Sequence, residues 1–427
     1  MKEFDKVIGY EEVKFELERL CDIMKHPKKY RDLGVSTPKG LLLQGEPGLG
    51  KTLMAKCFIE ASGRKAICCR KDKPDGDFVN EIRKAFDEAK ASAPSIVFLD
   101  DMDKFANEDE RHRNAEEFVT IQSCIDDCRD AEVFVLATTN ETHCLPNSLL
   151  RAGRFDKILD IKAPEYEDAV KIVRFYLNQK KFVSEVDVEE VTKILSGKSC
   201  AELETVINEA GIYAGFEGKK SIEMNDIIKA CLRVIFHAPE VMSPDKDYLK
   251  EVAYHEAGHT VVQEILEPGS INLVSVASYS GDIGGITSYN NNKNYFKDIN
   301  FMQNRVRCIL GGKAATELVF GTTDTGAGHD LHRAYDITER FIDDYCSFDF
   351  SMFLRQDSGA EIADRKDVAI GVEMGRFYAE TKKILIDNRE FLDKLAETLI
   401  EKKTLLQKDI AAIRETYFGT SIPGNAA

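Results

Sequence analysis

Two short motifs, far apart in the chain, set what this sequence can fold into. The first is a glycine loop, Gly45-Glu46-Pro47-Gly48-Leu49-Gly50-Lys51-Thr52. The second is His255-Glu256-Ala257-Gly258-His259, with two histidines at i and i+4. A loop of the first kind works only between a strand and a helix, where its amides and the helix N-terminus face phosphate oxygens. Two histidines four residues apart share a face only on a helix, from which both imidazoles can bind one zinc ion. The chain must therefore build a sheet with a helix behind it early on, and a buried helical site late.

The residues around the glycine loop supply that context. Leu41-Leu42-Leu43 reads as the strand before it, and Thr52 to Ile59 continues as the helix after it. Ile96 to Leu99 is an apolar strand ending in Asp100-Asp101, and Val133 to Ala137 is another ending in Thr138-Thr139-Asn140. Apolar strands with polar C-terminal ends, separated by helices, predict a parallel α/β sheet with a site along one edge. There Gly45, Pro47, Gly48 and Gly50 shape the loop, and Lys51 is placed to reach the β and γ phosphates of ATP. Thr52 and Asp100 are placed to hold Mg2+, the latter through its water shell. Asp101 is positioned to orient or deprotonate an attacking water. Asn140 can hydrogen-bond that water or the γ phosphate, although an Asn at a strand end is usually a turn former. Arg151 and Arg154, three residues apart, fit either surface ion pairs or charge stabilisation supplied to a neighbouring subunit.

In the second motif, Glu256 lies between the histidines and is the candidate base for a zinc-bound water attacking a peptide carbonyl. Val252, Val261, Val262, Ile265 and Leu266 predict a buried helix, which Pro268-Gly269 ends. A catalytic zinc needs a third protein ligand and an open position. Asp330, after the Thr325 to Gly328 loop, is the candidate, but in a first helical turn a carboxylate is equally favoured as a capping charge. His329, His332, Asp324 and Glu317 are rivals. Cys124 and Cys128, also at i and i+4, have no second Cys or His pair nearby and read as packing residues.

Composition narrows the class further. At 427 residues, 43% hydrophobic and 31% charged, the chain is globular and long enough for two or three domains. A net charge of -16 excludes nucleic acid as an expected partner, since phosphate-backbone binding needs clustered positive charge. No apolar run approaches the about 20 residues needed to span a bilayer, and the N-terminus has no signal-peptide core. Eleven cysteines without framework spacing predict free thiols in a reducing, cytoplasmic compartment. After the α/β region, residues 1–165, the pattern from Tyr166 is wholly helical, with Ala169, Ile172, Val173 and Tyr176 as one stripe and Leu203, Val206, Ile207 and Ala210 as another. A proline-containing connector after Phe236 leads to a third, mostly helical unit with a strand-rich insert from Ile271 to Tyr289. Its end, with Ile384, Phe391, Leu395, Leu399, Leu405 and Leu406, predicts long amphipathic helices.

Taken with Phe4-Asp5-Lys6-Val7-Ile8-Gly9, Thr37-Pro38-Lys39-Gly40, Leu149 to Asp156, Asn208-Glu209-Ala210, Gly311-Gly312-Lys313-Ala314-Ala315, Phe320-Gly321 and Gly326-Ala327-Gly328-His329-Asp330, the chain resembles the FtsH family of AAA proteases over nearly its whole length. The resemblance implies an AAA ATPase α/β subdomain at 1–165, a helical lid at 166–238 and a zinc metallopeptidase domain at 239–427. It implies a hexameric ring that degrades unfolded or membrane-associated proteins with ATP, Mg2+ and Zn2+. It matches Asp330 to the third zinc ligand, Asn140 to the sensor, and Arg151 and Arg154 to trans-acting arginines. Ile8 and Gly9 would lie by the adenine, and Gly284 to Thr287 would be an edge strand on which substrate pairs by strand addition.

Four departures from the family pattern stand out. Asp100-Asp101 replaces the usual Asp-Glu, which shortens the second carboxylate by one methylene. The region of the aromatic pore loop is short and charged, Cys68 to Phe78, with Phe78 its only aromatic. The usual hinge glycine is missing from Phe236 to Val241. No membrane-anchoring segment precedes Phe4, so a cytoplasmic protein, or the cytosolic part of a membrane-anchored one, is expected. The first two departures leave an alternative: a nucleotide-switched zinc peptidase with slow or absent hydrolysis and no processive threading.

Overall fold

A computed structural model describes residues 2–71, 77–106, 115–128, 131–140, 145–151, 153–184, 186–237, 246–276, 285–289, 298–322, 325–345, 347 and 360–419. The chain forms two compact units, 1–183 with 197–208, and 184–196 with 209–427.

The first unit begins with a short 3-10 helix (Lys2–Lys6), followed by helices α1 (Glu11–Lys25) and α2 (Pro27–Arg31). There follow β1 (Gly40–Gln44), α3 (Lys51–Ser62), β2 (Lys65–Cys69), α4 (Phe78–Ala91), β3 (Ser95–Leu99), α5 (Ala115–Asp127), β4 (Val133–Thr139) and β5 (Lys157–Asp160). All pairings are parallel, in the order β2-β3-β4-β1-β5. The inner strands β3 and β4 are buried along their whole length, as continuous apolar runs covered by helices on both faces must be. The edge strand β5 instead alternates between half-buried and exposed positions. Register does the positioning. Gln44 of β1 pairs with Thr139 of β4, so the glycine loop and Asn140 leave the sheet side by side. Leu99 of β3 pairs with Ala137, which brings Asp100 to the same edge.

Phe78 opens α4 behind the N-cap Asp77, whose side chain accepts from the Asn80 amide. It is 6% exposed and packs edge-on against Phe105, with ring centroids 5.0 Å apart. The one aromatic of the charged segment is thus a core residue and offers no grip to a passing polypeptide. Residues 72–76 lie outside the described residues, as do 238–241 of the expected hinge region.

Four helices continue the chain: α6 (Tyr166–Asn178), α7 (Val188–Ile194), α8 (Cys200–Phe216) and α9 (Met224–Val234). The start of α8 belongs to the first unit, where Ala201 donates its amide to Gly48 O at 3.0 Å. Helix α7 belongs to the second unit.

The second unit continues with α10 (Lys246–Leu266), β6 (Ile271–Ser275), β7 (Ile286–Tyr289), α11 (Ile299–Phe320), α12 (Gly328–Asp343), α13 (Ala360–Asp387), α14 (Arg389–Lys402), β8 (Thr404–Leu406) and α15 (Gln407–Phe418). Helices α10 and α11 cross with their backbones in contact: a Cβ on Gly258 would lie 2.3 Å from Gly311 O, and one on Gly311 would lie 2.7 Å from Gly258 O. Only glycine permits that approach. The three strands form an antiparallel sheet in the order β7-β6-β8.

Leu405 and Leu406 correct the expectation of continuous helix at the C-terminal end. Lys403 takes a left-handed conformation (φ 66) that stops α14, and the next three residues pair with β6. Burying both leucines against that strand outweighs their helix propensity. No helix among the described residues is long and apolar enough to cross a membrane. None of the described cysteines, buried Cys124 and Cys128 among them, forms a disulfide.

Candidate active sites

At the edge of the parallel sheet the glycine loop runs through three glycines with positive φ, Gly45, Gly48 and Gly50, and Gly50 turns directly into α3. Lys51, the first residue of that helix, is buried and folds back over the loop. Its ammonium donates to Gly45 O (2.6 Å), Glu46 O (2.7 Å) and Asn140 Oδ1 (2.9 Å). Burial lowers its pKa, against the pull of Asp103, Asp101 and Asp100. Thr52 donates to Asp100 Oδ1 at 3.2 Å, and Thr138 donates to the same oxygen at 2.8 Å. Asp100 is only 4% exposed. Its other oxygen faces the half-exposed guanidinium of Arg70 at 3.6 Å. The buried carboxylate, the Thr52 hydroxyl and the loop amides suit a Mg2+-bound nucleotide.

Asp101 stands apart from this cluster. It adopts a left-handed conformation (φ 54), donates its amide to Thr138 Oγ1 (2.9 Å), and pairs its carboxylate with Lys104 at 2.7 Å. Asp103 is a residue that sequence reasoning missed. Its Oδ1 accepts from the Asn140 amide (3.0 Å) and Thr139 Oγ1 (3.2 Å), and its Oδ2 from Asn140 Nδ2 (3.5 Å), so it orients Asn140 towards Lys51. The available signal was a third acid in the Asp100-Asp101-Met102-Asp103 run.

Ile8 is half-buried, and Gly9 (φ 71) leaves no room for a side chain, since a Cβ there would meet Asp168 of α6 at 2.7 Å. The next residue, Tyr10, donates its amide to Asp168 Oδ2 (2.8 Å) and its hydroxyl to Lys162 O (2.9 Å). Pro47 and Gly48 are exposed at the loop tip. Arg151 is exposed, whereas Arg154 is held within its own chain: Nη2 and Nε bond both oxygens of Asp126 (2.8 and 3.3 Å), and Nη1 donates to Ser148 O.

In the second unit, α10 presents His255 and His259 from one face, and the first turn of α12 presents Asp330 to them. His255 Nε2 lies 3.2 Å from Asp330 Oδ2 and 3.1 Å from His259 Nε2, which is itself 3.1 Å from Asp330 Oδ2. These are nearly the edges of a tetrahedron with bonds of about 2 Å, the coordination zinc prefers. Among the described residues this is the group of three suited to hold a metal ion. His259 Nδ1 donates to Cys308 O on α11 at 2.7 Å, which fixes the tautomer and leaves the Nε2 lone pair for a metal. A Cβ on Gly312 would lie 2.4 Å from His255 Nε2, so this glycine makes room for the ligand ring. Burial raises the Asp330 pKa, but His259 and His255 overcome it and hold the carboxyl well below its ordinary value.

The rivals to Asp330 are engaged elsewhere or turned outward. Glu317 accepts from Lys313 (3.1 Å), Lys382 (2.8 Å) and Tyr378, while His329 and His332 are exposed. Asp324 lies outside the described residues.

Glu256 is 5% exposed, and burial raises its pKa against the opposing pull of His259 and His255. Its Oε2 accepts from Thr287 Oγ1 of β7 at 2.7 Å. Of the expected edge strand, Gly284 lies outside the described residues. Gly285 packs against the Glu256 side chain, and Ile286 and Thr287 belong to β7, which pairs with β6 on one side.

A parallel sheet with a phosphate loop, followed by a helical unit carrying a His-Glu-x-x-His zinc cluster, defines a class: AAA-type ATPases joined to a zinc metallopeptidase. Residues 41–163 match the ATPase family associated with various cellular activities (AAA), and residues 242–413 match Peptidase family M41. The chain is 30% identical to ATP-dependent zinc metalloprotease FtsH 2 of Thermoanaerobacter sp. over 96% of its own length and 82% of the relative's. It is 31% identical to the FtsH of Lactococcus lactis subsp. lactis, covering 97% and 64% of the two chains. Against the FtsH of Thermus thermophilus it is 29% identical, over 96% and 70%. The chain belongs to the FtsH family of AAA ATP-dependent zinc metalloproteases.

Proposed function

We propose that this chain works as a hexameric ring in which ATP turnover at the glycine loop delivers polypeptide to the zinc cluster for internal cleavage. One observation carries the peptidase half: three ligand atoms from two helices converge at 3.1–3.2 Å, with the buried Glu256 carboxylate in the same motif. When bound by His255, His259 and Asp330, zinc supplies the Lewis acidity that activates water for attack on a peptide carbonyl. Glu256 takes the proton and passes it to the leaving amine.

In the ATPase half, the loop amides of Gly45, Gly48 and Gly50, with Lys51, hold the phosphates. Thr52 and Asp100 serve Mg2+, Ile8 and Gly9 lie by the adenine, and Asp101 activates the water that Asn140 senses. Arg151 and Arg154 act on a neighbouring subunit's nucleotide, a role that the exposure of Arg151 favours and for which Arg154 exchanges Asp126 for phosphate. In this reading residues 1–165 are the ATPase body, 166–238 its lid and 239–427 the peptidase. The substrates are unfolded or membrane-associated proteins on the cytoplasmic side. The relatives' shared description as ATP-dependent proteases favours this reading over a nucleotide switch without turnover.

Degradation of an unfolded and a folded substrate, each with ATP, a slow analogue and no nucleotide, tests the coupling. ATP should be required for the folded substrate, and cleavage indifferent to nucleotide overturns the proposal. Glu256→Gln should abolish casein cleavage while zinc stays bound; cleavage at the wild-type rate removes Glu256 as the base.

A further inference from the structure

The base of the zinc site is held by the strand expected to receive substrate. Thr287 Oγ1 donates to Glu256 Oε2 at 2.7 Å. Two residues earlier, Gly285 lies so close to the same side chain that a Cβ would meet Glu256 Cγ at 2.6 Å and Oε1 at 2.8 Å. Strand alternation turns Thr287 towards α10 and sends Ile286 and Ser288 to the opposite face. Among the described residues, in the sheet order β7-β6-β8, β7 is an outer strand. One short strand therefore offers a backbone edge for an extended peptide and, through a single side chain, fixes the carboxylate that must act on it.

We propose that Thr287 is the positioning residue of the general base, committing one Glu256 oxygen to β7 and leaving the other as the proton acceptor. A carboxylate in a buried site loses catalytic geometry through rotation about its terminal bond, and a single short hydrogen bond removes that freedom. Strand addition to β7 loads the element that holds the base, so an extended polypeptide orders Glu256 as it docks. The inference rests on Glu256 being the base.

The test compares Thr287→Val, which keeps the shape and loses the hydroxyl, with Thr287→Ser, which keeps the hydroxyl, in the full zinc-loaded chain cleaving a fluorogenic peptide. Positioning partners next to a metal site are worth about 10–100-fold. The valine variant should lose kcat on that scale with KM and zinc content within about twofold, and serine should restore kcat to within about threefold. A valine variant with wild-type kcat, or a serine variant no better than valine, overturns the proposal. A second readout needs no activity: thermal unfolding of the metal-stripped protein in a double-mutant cycle with Glu256→Ala. Thr287→Val should lower the Tm when Glu256 is present and leave it nearly unchanged in the alanine background, whereas equal shifts in both overturn the contact. Glu256→Gln in the same peptide assay separates the two readings: if it cleaves, the base assignment fails, and if it does not, only the role of Thr287 is under test.

Discussion

Lys51 Nζ donates to Asn140 Oδ1 at 2.9 Å, closing the phosphate loop onto the end of the neighbouring strand. In the proposed function both partners serve the nucleotide, and bound phosphate would take over the contacts that Lys51 makes with Gly45 O, Glu46 O and Asn140. Charge-assisted hydrogen bonds contribute about 1.5–3 kcal/mol each. Lys51→Ala should therefore weaken nucleotide binding by about 10–100-fold, read by displacement of a fluorescent ADP analogue. Degradation of a folded substrate should be lost while cleavage of a short peptide persists. Peptide cleavage lost in parallel would show that the zinc site depends on nucleotide.

Asp101 is one methylene shorter than the family's usual glutamate, and its carboxylate is bound to Lys104 at 2.7 Å. In the proposed role of base, a longer side chain at this position would reach further towards the attacking water. Since a positioned base is worth about 100–10,000-fold, Asp101→Glu should raise ATP turnover at least about tenfold, measured by phosphate release at saturating ATP. Unchanged turnover would show that the short carboxylate does not limit hydrolysis.

Gly312 makes room for the His255 ring, with a hypothetical Cβ 2.4 Å from Nε2. Within a helix, Gly→Ala ordinarily stabilises by about 1 kcal/mol. Here Gly312→Ala should instead displace His255, a ligand in the proposed zinc cluster, and lower zinc affinity by about 10–100-fold, read by competition with a chromogenic chelator. Full zinc affinity in the alanine variant would mean that α11 can shift away from α10.

Glu190 on α7 is buried, and its Oε1 has no hydrogen-bond partner among the described residues. Asn272 Oδ1, on the β6 strand against which α7 packs, is a second buried acceptor with no donor among the described residues. Burial raises the Glu190 pKa above its ordinary value, despite Lys193 and Lys408. The folded state then binds the proton more tightly than the unfolded one, so the carboxylate costs stability above its folded pKa. That cost disappears as pH falls to the ordinary value near 4.5. Glu190→Gln should raise the Tm at pH 8 by about 2–4 °C, with the gain shrinking towards pH 5 in a thermal melt series. A gain independent of pH would trace the effect to packing instead of charge.

What the sequence made legible was local. The glycine loop and the two histidines of α10 are short motifs whose chemistry needs a single geometry, and strand ends at Asp100 and Asn140 follow from apolar runs stopping at polar residues. Asp330 was ambiguous from local sequence because a carboxylate in a first helical turn caps as readily as it ligates; the family resemblance favoured ligation, and the approach of α12 to α10 brings it within 3.2 Å of His255 Nε2. Leu405 and Leu406 read as helix because the partner that makes them a strand, β6, lies more than a hundred residues away in sequence. Phe78 drew attention as the only aromatic in a charged segment. Its burial against Phe105 depends on how α4 meets the turn after β3, which no local pattern encodes. The contact from Thr287 to Glu256 likewise joins a strand and a helix through tertiary packing alone.

The touching backbones of Gly258 and Gly311 lock together the two helices that carry most of the zinc cluster. With no side chains between them, α10 and α11 cannot slide or rotate past one another without driving carbonyl groups into Cα atoms. The two histidines, Glu256, the Cys308 carbonyl and the space made by Gly312 therefore keep their mutual geometry. Under the proposed function, motion driven by ATP would carry this piece whole, and control of cleavage would rest on the elements that meet it from outside, α12 with Asp330 and β7 with Thr287.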